Sequence, residues 1–387
     1  MLRTPASEAI TSASHTQPRH AVSTTPGRIL LFLFLFLQVS SGHAQPEQPS
    51  PQFDDLASRA AAARDQNNLP LAIELYGQAE RLNPGWAEGW FYLGLLQYLT
   101  NDFPPAIAAF DHLLALQPNS PQALALRGLC EFETEAFNDA LRDLNQAVQM
   151  GAASEPGNEQ IIRFHLAELL TRAGRFQDAL RQYEVLAENH AEGSDLILGT
   201  GLAGMRVAAL PKDITPENSE LYSTAGTAGY TFLSGDLHEA DTLFNQVFAR
   251  YPTTPALHFF YGTLFFMHGI DLDIPQFQKE VAIEPTNAEA HALLAFSLIL
   301  DGRFAEARPE AEQAYAEAPG MPLAQVALGR SLSETGDPDR ATEILNQVLK
   351  RDPNNLEAHM ALAVAYARSG KREDAYRERM LCLGLRK

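Results

Sequence analysis

Residues 87–118 read AEGWFYLGLLQYLTNDFPPAIAAFDHLLALQP. Two apolar runs with helical spacing flank the polar break Thr100-Asn101-Asp102, where a helix is expected to stop. Ala106 and Phe110 lie four apart, so they share one face of the second run. In the first run Gly94 follows Leu93, and a residue that small lets a second helix come close. Pro118 closes the stretch, because proline forbids the residue before it from continuing a helix. The stretch therefore predicts a helix-turn-helix hairpin.

The same hairpin recurs on both sides. Prolines stand at Pro84, Pro118, Pro252, Pro285, Pro319 and Pro353, with spacings of 34 and then 33, 34 and 34. A period of that length is the mark of a repeat array. Twelve residues before these prolines sit Ala72, Ala106, Ala240, Ala307 and Ala341, with Asp273 the exception; Ala140, Ala179 and Ala375 fit the same place where the proline is missing. Four residues further on come Tyr76, Phe110, Leu144, Tyr183, Phe244, Phe277 and Leu345. Breaks at Ala173-Gly174-Arg175, Ser234-Gly235-Asp236, Asp301-Gly302-Arg303, Thr335-Gly336-Asp337 and Ser369-Gly370-Lys371 mark the turns. About nine units begin near Phe53, Ala87, Pro121, Gln160, Leu221, Pro255, Ala288, Pro322 and Leu356. The period is lost between Ala191 and Glu220, where a helical segment Leu196–Leu210 precedes a breaker-rich stretch. The expected organisation is thus an N-terminal block 53–190, an irregular helix and linker 191–220, and a C-terminal block 221–387.

The set Trp90, Leu93, Gly94, Ala106, Phe110 and Pro118 resembles the tetratricopeptide repeat, whose 34-residue signature runs Trp, Leu-Gly, Tyr, Ala, Phe, Pro. The likeness extends over nearly all of the chain after residue 52. It is weakest in the first unit (Leu56, Ala60), the third (no proline at Ala152), the displaced fourth and the sixth (Asp273). The resemblance implies an all-α fold, a right-handed solenoid of stacked antiparallel hairpins whose first helices line a concave face. Its groove positions here are Phe91, Leu95, Tyr98, Leu129, Phe132, Phe164, Tyr222, Phe232, Phe259, Phe266 and Met267, a strongly apolar lining. A tetratricopeptide groove that grips a peptide carboxylate does so with Lys and Asn; Glu88, Gln122 and Glu289 at the entry points here do not supply that set.

Ahead of the repeats, Arg3, Arg19 and Arg28 precede the apolar run Ile29–Val39 and the small residues Ser40-Ser41-Gly42-His43-Ala44. This order reads as a secretory signal peptide, residues 1–44, cut after Ala44, with an uncleaved N-terminal anchor as the minority reading. A flexible Pro/Gln leader, 45–52, follows. Acidic residues outnumber basic ones 48 to 29, a formal charge of −19. Loss of residues 1–44, net +2, leaves −21. That charge repels nucleic acid and anionic lipid. Cys130 and Cys382 lie too far apart in sequence to form a Cys-x-x-Cys pair, and they fall at apolar helix positions, so small buried hydrophobes are expected and neither a disulfide nor a metal site.

Gly199, Gly201 and Gly204 spell a Gly-x-Gly-x-x-Gly string with Glu220 downstream, but a dinucleotide site needs a strand before the glycines and a strand-helix-strand unit around them. Close helix packing is the preferred reading. His258, His291 and His359 recur where the signature has Trp, which favours a structural role in the hairpin. Neither a Gly-x-Ser-x-Gly elbow nor a phosphate loop is present. No enzyme activity, cofactor or metal is expected. The expected function is an exported scaffold, periplasmic or extracellular, that holds a protein or peptide segment with apolar anchors in cell-envelope complex assembly. The alternative is a carbohydrate- or polymer-binding protein of an envelope export system.

Overall fold

A computed structural model describes residues 50–152 and 158–385. The expected signal peptide and the leader as far as residue 49 lie outside the described residues. Nineteen α-helices follow one another among those described. The first block pairs α1 (Pro51–Asp65) with α2 (Leu69–Leu82), α3 (Ala87–Leu99) with α4 (Phe103–Leu116), α5 (Pro121–Glu133) with α6 (Phe137–Gln149), and α7 (Glu159–Arg172) with α8 (Phe176–Glu188). An unpaired α9 (Ser194–Gly204) and a 3-10 turn at Pro211–Asp213 follow. The second block pairs α10 (Pro216–Leu233) with α11 (Leu237–Arg250), α12 (Leu257–Met267) with α13 (Asp273–Ile283), and α14 (Ala288–Leu300) with α15 (Phe304–Glu317). It closes with α16 (Pro322–Glu334) on α17 (Pro338–Arg351) and α18 (Leu356–Arg368) on α19 (Arg372–Leu385). The fold is the expected all-α right-handed solenoid of antiparallel hairpins.

Three boundaries differ from the sequence reading. The leader is shorter, because the Ser50 hydroxyl accepts from the Phe53 amide and starts α1 at Pro51. The segment Leu196–Leu210 is not one helix: α9 stops at Gly204, and Arg206 takes a left-handed φ of 61°. The following helix, α10, begins at Pro216, ahead of Leu221.

The alanine-plus-large-residue ladder is what holds each hairpin shut. Ala72, Ala106, Ala140, Ala179, Ala240, Ala307 and Ala341 are all fully buried, as are Phe110, Leu144, Tyr183, Phe244, Phe277 and Leu345. Phe110, Leu144, Phe277 and Leu345 each drop into a glycine notch on the partner helix, at Gly94, Gly128, Gly262 and Gly329. A Cβ on Gly94 would sit 2.8 Å from the Phe110 ring, and one on Gly329 would sit 2.6 Å from Leu345. Burying a side chain of this size is worth about 1.5–3 kcal/mol, so each hairpin carries its own core and stacks on the next.

A second repeated device ties the start of a unit to the loop that closes the unit before it. The Trp90 indole N–H donates to the Pro84 carbonyl at 2.9 Å. His291 Nε2–H donates to the Pro285 carbonyl at 3.0 Å, and His359 Nε2–H to the Pro353 carbonyl at 2.9 Å. The other ring nitrogen of each histidine meets a carboxylate of the second helix, Glu310 at 2.6 Å and Glu378 at 2.5 Å. An imidazolium, which donates from both nitrogens, satisfies both partners at once. These histidines are hairpin clasps standing in for tryptophan. His258 makes the second-helix bond of this pair, its Nδ1 to Gln276 at 2.8 Å.

The insert is a packed layer of the array. One buried cluster runs from Phe91 to Phe265 and takes in Leu196, Ala203 and Met205 of the insert. The glycines of α9 make this possible: a Cβ on Gly199 would lie 2.1 Å from the Tyr183 hydroxyl, and one on Gly204 would lie 2.3 Å from the Phe260 ring. Gly201 faces α10 backbone to backbone, its Cβ position 1.9 Å from the Tyr222 carbonyl oxygen, and Gly226 answers at 1.9 Å from the Ile197 carbonyl oxygen. The glycine string therefore sits in mid-helix as a packing surface, without the strand a dinucleotide site requires.

Candidate functional site

At the end of α9 the chain must turn back, and the residue that turns it is Arg206. Six hairpin turns place glycine in the left-handed conformation, at Gly174, Gly235, Gly269, Gly302, Gly336 and Gly370, and three use Asn67, Asn101 and Glu135, while His190 and Ala256 adopt it between hairpins. An L-residue with a Cβ pays roughly 1–2 kcal/mol for that conformation. That conformation sets the direction in which the Arg206 side chain leaves the backbone. Its guanidinium carbon lies 5.3 Å from the centre of the Phe176 ring at the start of α8 and 5.0 Å from the Phe259 ring of α12. Glu289, in the first turn of α14, is ion-paired to one of its terminal nitrogens. Cation–π contact on two rings plus an ion pair holds the guanidinium in one plane.

Two clefts open on either side of this arginine and share Arg206, Glu289 and Met321 as lining. The first, about 460 Å³, is walled by Gly174–Asp178 at the head of α8, by Ala203 and Gly204, by Phe259 and Thr263, and by Pro322 and Leu323. The second, about 610 Å³, is walled by Leu221, Tyr222, Pro255, Ala256 and the loop Glu284–Ala288. Both volumes fall within the roughly 300–1,000 Å³ of ligand pockets.

Phe259 is fixed from behind. Glu280 of α13 is fully buried and accepts from the Ala256 amide at 2.7 Å and the Phe259 amide at 3.0 Å. It thus caps α12, which lacks a local side-chain cap and starts from a left-handed Ala256. Burial raises the Glu280 carboxyl above its ordinary range, and the two backbone donors oppose that rise without cancelling it.

The eleven groove positions read from the sequence do not form one surface. Phe91, Leu95, Leu129, Phe164, Phe232 and Phe259 are buried, and Tyr98, Phe132, Tyr222, Phe266 and Met267 are half-buried. Tyr98 and Leu129 meet in a small apolar cavity between the second and fourth hairpins. Phe132 packs on Phe137 and His165, Phe232 on Tyr261 and Phe265, and Phe266 on Phe296. Tyr222 and Phe259 are the two that reach the Arg206 clefts. Glu289, read from the sequence as a groove entry point, lines both clefts, whereas Arg206, Phe176, Thr263 and Met321 were absent from that reading. The one signal in the sequence is that Arg206 is the sole cation between Arg181 and Lys212, at the end of an apolar segment.

Among the described residues, no three His, Cys, Asp or Glu side chains gather as a metal-holding group. No described helix is long and apolar enough to cross a membrane. Cys130 is a buried free thiol, and Cys382 is buried.

Family models of the tetratricopeptide repeat match residues 58–121 and 100–159, 161–184, and 298–363 and 332–378. The chain is a tetratricopeptide repeat protein. Its repeats are those of a protein–protein interaction scaffold. No curated protein matches the sequence. Among solved structures, MamA AMB-1 is 20% identical over 42% of this chain and 96% of its own, with a TM-score of 0.36. MamA from Desulfovibrio magneticus RS-1 is 17% identical over 43% and 95%, with a TM-score of 0.38. A tetratricopeptide repeat protein from Parabacteroides merdae is 15% identical over 82% and 99%, with a TM-score of 0.33.

Proposed function

We propose that this protein is an exported, non-enzymatic scaffold that holds a segment of a partner protein in the clefts around Arg206, as part of complex assembly in the cell envelope. The observation that carries the reading is the paired cleft itself, in which helices from five hairpins and the insert converge on one immobilised side chain. Its walls combine apolar surface from Phe176, Met321 and Leu323 with a few fixed polar groups, the composition of a recognition site for a short segment. The basic lead-in, apolar run and small residues of 1–44 support export, and the charge of −19 disfavours nucleic acid.

The test is affinity capture on the full chain, with cross-links mapped by mass spectrometry and a Tyr222→Ala/Met321→Ala double variant as control. The expected result is a protein whose cross-links fall on cleft residues and whose recovery drops with the variant. Recovery that ignores the variant, or binding that transfers to glycans on an array, refutes the reading. Fractionation with N-terminal sequencing checks export, the mature chain being expected to start at Gln45.

A further inference from the structure

We propose that Arg206 is the receptor for a carboxylate on the bound protein segment, either an Asp or Glu side chain or a chain terminus, seated beside an apolar residue in the 460 Å³ cleft. The inference rests on the scaffold reading and adds to it the chemistry of the anchor. Three features of the cleft converge on it.

The first is unused donor capacity. A guanidinium carries five N–H donors, and Glu289 is the acceptor paired with this one. The same chain shows what a guanidinium does when a second carboxylate is available: Arg127 donates from Nε to Asp143 at 2.6 Å and from a terminal nitrogen to Asp111 at 2.7 Å. Arg206 has the one carboxylate of Glu289 where Arg127 has Asp111, Asp143 and, at 3.8 Å, Glu131, and it lines the cleft.

The second is the field of the walls. Residues Gly174–Asp178 and Met321–Leu323 bring the N-termini of α8 and α16 to the cleft, and neither helix has a side-chain cap hydrogen bond. Free first-turn amides and the positive ends of two helix dipoles favour an anion between them. The third is a waiting polar group. Thr263 lines the same cleft, is 2% exposed, and its hydroxyl has no hydrogen-bond partner.

The occupant is a carboxylate in preference to a phosphate because Glu289 and Asp178 already stand in or beside the cleft. Arg175 lines the cleft paired to Asp178 at 2.8 Å, and Arg206 is paired to Glu289, so a dianion would meet two carboxylates with no unpaired cation to offset them, whereas a monoanion needs only the remaining donors of Arg206. Phe176, Phe259 and Leu323 supply the wall for the neighbouring apolar side chain.

The test uses calorimetric titration of the full chain with four short peptides. Two are acidic: acetyl-Ala-Phe-Glu-Leu-Ala-amide, and acetyl-Ala-Ala-Leu-Phe with a free terminus. The other two are their Gln and C-terminal amide counterparts. At least one acidic peptide should bind about tenfold or more tightly than its neutral twin, and which one identifies the source of the carboxylate. Arg206→Gln should abolish that preference and Arg206→Lys should reduce it. Thr263→Val gives a readout that a purely structural role would not, since losing an unpartnered hydroxyl should hold or raise the melting temperature while weakening the acidic peptide.

Equal affinity for acidic and neutral peptides, a preference that survives Arg206→Gln, no binding at millimolar peptide, or inorganic phosphate binding as tightly through Arg206 each overturns the proposal. If a captured partner cross-links to the cleft and is still recovered with Arg206→Gln, the carboxylate assignment fails and the scaffold reading stands.

Discussion

Replacing Gly226 with alanine tests the seam on which the insert depends. A Cβ there would lie 1.9 Å from the Ile197 carbonyl oxygen, 2.9 Å from its carbon and 3.0 Å from the Gly201 nitrogen. All three are backbone atoms, so no rotamer change relieves the contact. An ordinary C···O approach is about 3.3 Å, which requires α9 and α10 to part by roughly 1.4 Å along that line. Inserting one methyl into a packed interior costs about 1–3 kcal/mol, and backbone on the far side puts this site at the upper end. Alanine returns up to about 1 kcal/mol of helix propensity, leaving a net loss of about 2 kcal/mol. Gly77→Ala is the matched control, because its Cβ would meet only the Arg81 guanidinium, at 3.9 Å; it should stabilise by roughly 0.5–1 kcal/mol. Circular dichroism melts read the sign, and hydrogen exchange should show faster exchange confined to α9 and α10 in Gly226→Ala. If Gly226→Ala melts at or above the wild-type temperature, α9 and α10 do not meet through their backbones and the account of the insert is wrong.

Glu80 is 2% exposed, neither of its carboxylate oxygens has a partner, and burial pushes it from 4.5 to about 8. The unfolded chain ionises it first, so stability should fall as pH rises from about 4.5 to about 8, at no more than about 1.4 kcal/mol per unit; Glu80→Gln should flatten urea-melt profiles across that window. For His291, burial lowers the pKa, but the bonds to Glu310 and the Pro285 carbonyl outweigh it and leave the pKa raised. Its contribution is complete below the unfolded value of about 6.5 and is lost as pH rises through the higher folded value. His291→Gln, copying Gln325 of the next repeat, should therefore cost stability at pH 6 and little at pH 9. Glu280→Ala leaves the Ala256 and Phe259 amides without their acceptor and should cost about 3 kcal/mol, seen as faster hydrogen exchange at the start of α12; Glu280→Gln should recover part of it.

What was legible in the sequence is what repeats. Ala106 and Phe110 announce a hairpin because the same pair returns every 34 residues or so, and His291 and His359 announced the clasp by falling where Trp90 falls. The period fixes which face of each helix meets its own partner. It does not fix how far one hairpin rotates on the next. Phe91 and Phe164 therefore carry the right spacing for a groove and lie buried between layers, because a modest rotation carries a side chain from the open face into the stacking surface. The cleft was illegible for a stronger reason. Phe176, Arg206, Phe259 and Glu289 come from different hairpins and the insert, and only the path of the whole superhelix brings them together.

That path is set by a helix with no counterpart in the repeat. The insert α9 packs on α7, α8, α10 and α12, so it adds a layer between the fourth and fifth hairpins. Adding a single helix to a stack of pairs offsets everything after it, and the offset carries α14 and α16 towards the head of α8. Arg206 sits at the exit of that helix and touches both sides of the gap, Phe176 before it and Phe259 and Glu289 after it. The glycine seam and the cleft are therefore mechanically one feature: Gly201 and Gly226 set the depth at which α9 lies, and that depth sets how far Arg206 reaches. Parting α9 from α10 by roughly 1.4 Å moves the guanidinium by a comparable distance, well beyond the ~0.5 Å within which a recognition site must be held. Gly226→Ala, at a residue that lines neither cleft, should thus weaken the acidic peptides in proportion to the displacement of Arg206, whereas Gly77→Ala leaves them unchanged.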